Sequence, residues 1–263
     1  FGEASIKHDK ERYEHKYEYC DLLITGSGPS GLASAYAAAK NGARVILAED
    51  KPRFGGSLLT SDVNIGNQTG VEWTEKIIAE LKSMPNVTVK NRSQVFGYYD
   101  HNMLVMSERI SDHLPKTQKY LPKQRLWYIR ANEVLISSGS IERPLVFGNN
   151  DTPGVMLSSA AKEYMKVYGV LVGKKPLIFT NNDSGYETAI EFKKNGVNPI
   201  ILDTRSKPSS DIITEAKDLN IEIKFSYVVV AAKGYKKVKS ADIAKISDDK
   251  NELFNIENIE CDC

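Results

Sequence analysis

A glycine-rich loop between an apolar run and an alanine-rich run is the feature that most constrains the fold of this chain. Gly26, Gly28 and Gly31 form a G-x-G-x-x-G pattern, preceded by CDLLIT and followed by LASAYAAAKNG. A short continuous apolar run is typical of a buried parallel strand, and alanine strongly favours helix. A second apolar run over 44–48 completes a β-α-β unit of the usual length, about 30 residues. The sequence therefore predicts a Rossmann-like domain.

The spacing of the glycines also indicates a ligand. The first glycine permits a tight turn, the second lets a pyrophosphate approach the backbone, and the third allows close packing of helix on strand. The amides at the helix N-terminus then attract the phosphates. Glu49 ends the next strand, where a carboxylate can accept hydrogen bonds from a ribose diol and would repel the extra phosphate of NADP. The residues favour an adenine nucleotide or dinucleotide, and they leave NAD, FAD and ATP open.

Further small or charged residues extend this predicted site. In flavoproteins with two dinucleotide-binding domains, a Gly-Gly pair soon after the strand-ending acid lines the pyrophosphate, and Gly55-Gly56 stands at that offset. A motif of small residues, here 137–139, is where such chains pass the nucleotide and cross to the second domain. The predicted cofactor-binding residues are Gly26, Gly28, Pro29, Ser30, Gly31, Glu49, Asp50, Arg53, Gly55, Gly56, Ser57, Ser138 and Gly139.

The order of elements predicts an α/β protein with two Rossmann-like domains, the second inserted into the first. Residues 1–19 are charged and lack periodicity, which indicates an arm or linker. Residues 20–148 form the first dinucleotide-binding domain, and the β-α rhythm restarts beyond a turn-rich stretch to give a second domain over 149–260. Residues 261–263 are predicted to begin a return strand that is cut short. The chain opens without methionine, as expected of a fragment of a longer protein.

The glycine loop of the second domain is degenerate. After the predicted strand LIFT, the chain reads Asn181-Asn182-Asp183-Ser184-Gly185, so only the last glycine is kept. Side chains at Asn181 and Asp183 would crowd a pyrophosphate, and the carboxylate of Asp183 would repel it. The sequence predicts no dinucleotide here. One interpretation is a drifted loop in which Asp183 or Ser184 caps the following helix.

Composition excludes several other classes of function. Lys and Arg total 35 against 34 Asp and Glu, so the net charge of +1 gives no field that favours nucleic acid or a membrane surface. Three cysteines make no disulfide scaffold and suggest a reducing compartment, the cytoplasm. No apolar run is long enough to span a membrane. Cys261 and Cys263 are too few for a metal site, and neither His101 nor His113 has the spacing of a catalytic triad. No metal and no catalytic residue is predicted.

Several stretches together resemble one family, the α subunits of heterotetrameric sarcosine oxidase. The stretches are VFGYYDHN at 95–102, QRLW at 124–127, GSIERPLVF at 139–147, NDTPGVM at 150–156 and TNNDS at 180–184. The resemblance extends over about residues 11–262, nearly the whole chain. It implies a flavoprotein assembled from α, β, γ and δ subunits that oxidatively demethylates sarcosine to glycine and produces hydrogen peroxide.

The same resemblance implies where the cofactors lie. NAD is expected in the first domain of this chain as a structural ligand, FAD in the β subunit at the amine site, and FMN at the boundary between α and β. Asn181, Asn182 and Asp183 are then candidates to face FMN, which is the second interpretation of the degenerate loop. Three other functions stay open: the α subunit of a related amine or proline dehydrogenase, a stand-alone NAD(P)H-dependent flavin oxidoreductase, and a nucleotide-stabilised assembly scaffold.

Overall fold

The computed structural model describes residues 6–115, 120–247 and 252–263. The chain divides into two compact units, the first ending at Ser140 and the second running from Ile141 to Cys263. Each unit contains a parallel sheet with helices, so the predicted α/β fold class is confirmed. The division falls at Ser140 rather than at the predicted residue 148. The insertion of one domain in the other stays a prediction.

The first unit is built on one six-stranded sheet in the order β5-β2-β1-β8-β7-β6. Strands β5, β2, β1 and β8 are parallel, and β7 and β6 continue the sheet as an antiparallel meander. The elements are β1 (Tyr13–Thr25), α1 (Pro29–Lys40), β2 (Val45–Ala48), β3 (Asn64–Ile65), β4 (Gln68–Thr69), α2 (Gly70–Ser83), β5 (Val87–Lys90), β6 (Ser93–Tyr99), β7 (Met103–Arg109) and β8 (Gln124–Ile136), with short 3-10 helices at Gly56–Leu59 and Asp100–Asn102.

Strand β1 is longer than the sequence indicates. It starts at Tyr13, so residues 13–19 of the predicted arm over 1–19 are strand, while residues 1–5 lie outside the described residues. Its N-terminal half pairs with β8, where Tyr17 stacks on Tyr128 at 5.2 Å between ring centroids and Arg125 binds Glu14 at 2.9 Å. Cross-strand pairs of this kind stabilise a sheet whose side chains face water. The hydrophobic pattern of the sequence does not predict this part of the strand, because its charged side chains are exposed.

Two apolar layers hold the first unit together. One lies between the parallel strands and the meander, and it includes Leu23, Leu104 and Met106, all at most 1% exposed. The other lies under α1 and α2, where Ala35 and other alanines of α1 let the helix approach the sheet closely. A capping box, in which Thr69 and Glu72 satisfy each other's backbone N–H, starts α2.

The second unit repeats the β-α alternation on a smaller scale. A parallel sheet has the order β11-β10-β9, and a separate antiparallel sheet has the order β12-β13-β14. Tyr186 and Phe192 on one helix are the largest fully buried side chains of the core. The elements are α3 (Ser158–Tyr168), β9 (Leu177–Thr180), α4 (Ser184–Lys194), β10 (Ile200–Asp203), α5 (Asp211–Asp218), β11 (Glu222–Phe225), β12 (Tyr227–Gly234), β13 (Val238–Ile246) and β14 (Leu253–Glu260).

The last residues of the chain lie against the second unit. The N–H of Leu177 donates to the carbonyl of Cys263 at 2.9 Å, and the N–H of Asp262 donates to the carbonyl of Lys175 at 3.1 Å. Burial raises the pKa of the thiols of Cys261 and Cys263 to about 11, so both are protonated at neutral pH. The return strand predicted from 261–263 stays a prediction.

Truncating the layer between the parallel strands and the meander should destabilise the first unit. We expect Leu104→Ala to lower the free energy of unfolding by about 2–5 kcal/mol, because it leaves a cavity in a fully packed layer. Phe96→Ala, on β6 with a side chain that is 58% exposed, is the matched control and should change little. Urea denaturation followed by tryptophan fluorescence, from Trp127 in the same layer and Trp73 in the other, measures both. Equal losses in the two variants would contradict this description of the core.

Candidate functional site

The carboxyl ends of three parallel strands meet at one edge of the first sheet. Thr25 at the end of β1 is in register with Ala48 of β2 and with Ile136 of β8. The residues that follow these strands therefore lie side by side. They are the glycine loop at 26–31, Glu49, and the small-residue segment at 137–139. The sheet register thus brings together segments that are far apart in the sequence.

Three of the glycines are required by close backbone approach, and one of them is Gly31, where a Cβ would overlap the carbonyl of Gly26. Gly26 has a φ of +98°, and a Cβ there would overlap the carbonyl of Ser137. Gly56 has a φ of +53°, and a Cβ there would lie 2.9 Å from the Cα of Gly28. Only glycine adopts this backbone without strain while leaving room for the neighbouring chain. The predicted Gly-Gly pair at 55–56 is thus packed directly on the glycine loop.

The side of Gly28 that faces away from the protein is open. A Cβ built at Gly28 would have no atom within 4 Å. Gly28 is also the N-cap of α1, Pro29 follows it, and no side chain caps the helix or places an acidic group in its first turn. Amides at an uncapped N-terminus attract anions, and the helix dipole adds to that attraction. The loop therefore has the space and the donors that a pyrophosphate requires.

Glu49 is buried behind this loop, with 6% of its surface exposed. Its Oε2 accepts hydrogen bonds from the backbone N–H and the hydroxyl of Ser27, at 2.9 and 2.5 Å, and its Oε1 accepts one from the N–H of Lys51 at 3.0 Å. Burial, together with the carboxylate of Asp50, raises the pKa of Glu49 above its ordinary value. Three donors leave the carboxylate about one acceptor position, for which the neighbouring carboxyl of Asp50 and a ribose hydroxyl would compete.

The other predicted residues are exposed to solvent in the three segments that follow β1, β2 and β8. They are Pro29, Ser30, Asp50, Arg53, Ser57, Ser138 and Gly139. Sequence reasoning passed over Ser27, the fully buried residue between the first two glycines. The sequence could have indicated this residue. The position between the first two glycines lies beside the acidic residue that follows the next strand, so a serine hydroxyl there can bind its carboxylate.

The corresponding loop of the second unit is closed by its own side chains. The Oδ1 of Asn182 accepts hydrogen bonds from the N–H and the hydroxyl of Ser184, at 2.9 and 2.7 Å. The Nδ2 of Asn182 donates to the Oδ1 of Asn181 at 3.1 Å. Asn182 therefore satisfies the start of α4, and the expectation that Asp183 or Ser184 caps it is wrong. The reason is that Asp183 makes no side-chain capping bond and is paired elsewhere.

Asp183 is held by Arg205, which also binds a buried carboxylate. The Nη2 of Arg205 lies 2.8 Å from both the Oδ1 of Asp183 and the Oδ2 of Asp203. Asp203 is the last residue of β10, much as Glu49 directly follows β2, but Asp203 is fully buried and also accepts a hydrogen bond from the hydroxyl of Tyr186 at 2.7 Å. The guanidinium of Arg205 holds the pKa of Asp183 below its ordinary value, which keeps a negative charge at the N-terminus of α4.

The remaining candidates offer no catalytic arrangement. His101 occupies a turn between β6 and β7 with a φ of +59°, and His113 contacts Asp112 at 3.2 Å. Within the described residues, no group of three or more metal-ligating side chains comes together. No helix in the described part of the chain has both the length and the apolar composition needed to cross a bilayer.

Comparisons with known proteins relate the chain to flavoproteins. The family model "FAD dependent oxidoreductase" matches residues 21–110. The sarcosine oxidase subunit alpha of Rhizobium meliloti (strain 1021) is 40% identical over 243 residues, which are 92% of this chain and 24% of that protein. Its counterpart from Corynebacterium sp. (strain P-1) is 33% identical over 258 residues, 97% of this chain and 26% of that protein. The L-proline dehydrogenase of P. horikoshii has a TM-score of 0.59 at 19% identity, over 96% of this chain and 43% of that one.

The two kinds of likeness carry different weight. At 19% identity, the likeness to the dehydrogenase structure shows the fold alone. The chain spans about a quarter of the length of the curated relatives that it matches, yet nearly all of it takes part in the match. Within the segment that it spans, this chain belongs to the family of sarcosine oxidase alpha subunits and has the FAD-dependent oxidoreductase fold.

Proposed function

We propose that the first unit binds NAD at the glycine loop as a structural ligand. The observation that carries this proposal is the open side of Gly28 at the uncapped N-terminus of α1. Glu49 supports NAD over NADP, because a buried carboxylate that accepts three hydrogen bonds would repel a second phosphate on the ribose. Bound NAD would order the segments around it and take no part in hydride transfer.

The wider function that we propose is that of the α subunit in a sarcosine oxidase. In this assembly with β, γ and δ subunits, sarcosine is oxidatively demethylated to glycine and oxygen is reduced to hydrogen peroxide. FAD and the amine site belong to the β subunit, and FMN lies at its boundary with this chain. Support comes from the named relatives, which are sarcosine oxidase alpha subunits. We assign the assembly to the cytoplasm, where free thiols such as Cys20 persist.

Three alternatives can be separated by simple measurements. The α subunit of a related amine or proline dehydrogenase would show turnover with that amine instead of sarcosine. A stand-alone NAD(P)H-dependent flavin oxidoreductase would purify with a flavin spectrum and oxidise NADH without partners. A nucleotide-stabilised scaffold would show no turnover by itself and would be needed only for assembly, which co-expression with and without a β subunit would reveal.

Blocking the open side of Gly28 should abolish nucleotide binding. We expect Gly28→Val to purify without NAD, because its side chain fills the space of the pyrophosphate, and Glu49→Ala to lower NAD affinity about tenfold or more. Ala33→Val, on the exposed face of α1, is the control. Mass spectrometry of nucleotide released from the native assembly measures retention. An undiminished NAD content in Gly28→Val would show that the nucleotide does not bind at this loop. FAD in the unmodified protein would support the loop as the binding site but contradict NAD as its ligand.

The second unit should bind no dinucleotide. Asp183 keeps its charge at the N-terminus of α4, and Arg205 and Tyr186 already occupy Asp203, the position that a ribose would need. We expect isothermal titration of NADH into protein that already holds NAD to show no second tight site. NADH should also leave bound flavin oxidised. A second tight site in this titration would refute the proposal.

The degenerate loop remains our candidate for contact with FMN. The amide of Asn181 is exposed, while Asn182 also satisfies the start of α4, so two variants are needed. Asn182→Ala should lower the FMN content of the assembled complex and leave NAD unchanged. Asn182→Asp keeps the acceptor for Ser184 but loses the amide donor, so it should lower FMN as well. Normal FMN in Asn182→Asp would mean that the residue acts only as a helix cap.

A further inference from the structure

Ser27 joins the glycine loop to the carboxylate at the end of β2. The residue is fully buried between Gly26 and Gly28. Its backbone N–H and its hydroxyl both donate to the Oε2 of Glu49, at 2.9 and 2.5 Å. Hydrogen bonds to an ionised acceptor are shorter and stronger than those between neutral groups. Two donors from one residue therefore fix the position of this oxygen.

The hydroxyl of Ser27 also reaches a third segment. The N–H of Gly55 donates to the Oγ of Ser27 at 3.2 Å and to its carbonyl oxygen at 3.1 Å. The hydroxyl is thus a donor to Glu49 and an acceptor from Gly55 at the same time. Alanine would fit the turn sterically, but it would remove both of these bonds. The identity of this residue therefore matters beyond its small size.

These bonds divide the two oxygens of Glu49 into different roles. Oε2 accepts two hydrogen bonds from Ser27, whereas Oε1 accepts one from the N–H of Lys51 at 3.0 Å. A carboxylate has about four acceptor positions, two on each oxygen. The remaining capacity therefore lies on Oε1, and a ribose hydroxyl there would compete with the carboxyl of Asp50, which also hydrogen-bonds to Glu49.

We propose that Ser27 is a positioning residue for nucleotide binding: its hydroxyl fixes Oε2 of Glu49, leaves Oε1 to accept a ribose hydroxyl, and ties the carboxylate to the turn at Gly55. This inference rests on the proposed binding of NAD at the loop. Ser27 acts through Glu49, so its effect depends on the charge of that carboxylate.

The charge of Glu49 is set by opposing neighbours. Burial and the carboxylate of Asp50 raise its pKa, while the hydrogen bonds from Ser27 and from the N–H of Lys51 lower it. Removing the hydroxyl of Ser27 therefore raises the pKa of Glu49 further. Since a protonated carboxyl is a poorer acceptor for the ribose, NAD affinity falls as the pH drops through this pKa.

The test measures NAD affinity of the native assembly, stripped of nucleotide, from about pH 5 to about pH 8. We expect Ser27→Ala to weaken binding about tenfold at neutral pH and to move the loss of affinity on the acid side to higher pH. Ser34→Ala, on α1 outside the loop, should match the unmodified protein at every pH. In the Glu49→Ala background, Ser27→Ala should cause a much smaller further loss, because only the hydrogen bond from Gly55 is left to remove.

The outcomes separate the two proposals. Unmodified protein that binds no NAD would overturn the proposed function and this inference with it. NAD binding that is unaffected by Ser27→Ala would overturn the inference alone. A loss of the same size at every pH, or a full additional loss in the Glu49→Ala background, would show that Ser27 acts only on folding of the loop.

Discussion

The close approach of backbone segments at the carboxyl edge of the first sheet is the constraint on which the rest of this site depends. Gly26 touches Ser137 and Gly56 touches Gly28 at distances that no side chain could enter. Because the strands are parallel and in register, these backbone contacts fix the position at which α1 begins and the position of Glu49 after β2. A change in any one segment would displace the others.

The two units use one topology with opposite electrostatic outcomes. In each unit, an acidic residue ends the second strand behind a loop that begins a helix. Glu49 accepts bonds from uncharged donors and keeps acceptor capacity, whereas Asp203 is neutralised by Arg205 and also bound by Tyr186. The carboxylate of Glu49 can therefore accept a further hydrogen bond from a ligand, whereas the carboxylate of Asp203 has its partners within the protein.

Part of the fold and of the site could be predicted from the sequence, because the turns and strands concerned are determined by glycines and apolar residues that lie close together along the chain. The first β-α-β unit, the role of Gly26 and the position of Glu49 after β2 could be derived in this way. The start of β1 at Tyr13 could not, since its support comes from β8. The bond of Arg205 to Asp183, which links two loops, could not be predicted either. Since Asp183 is paired with Arg205, it is Asn182 that accepts the hydrogen bond at the start of α4. Such pairings depend on tertiary contacts that no periodicity encodes.

The N-terminal half of β1 shows how an exposed edge strand can avoid pairing with a strand of another molecule. Among the described strands, β8 is the partner of Tyr13–Cys20, so the opposite edge of this segment presents backbone groups to solvent. An uncharged edge of this length would be a template for another chain. Lys16 and Glu18 place exposed charges along it, and burying them against a second copy would be costly. The exposed charges that conceal this strand from hydrophobic patterning thus also make edge-to-edge pairing with a second copy unfavourable.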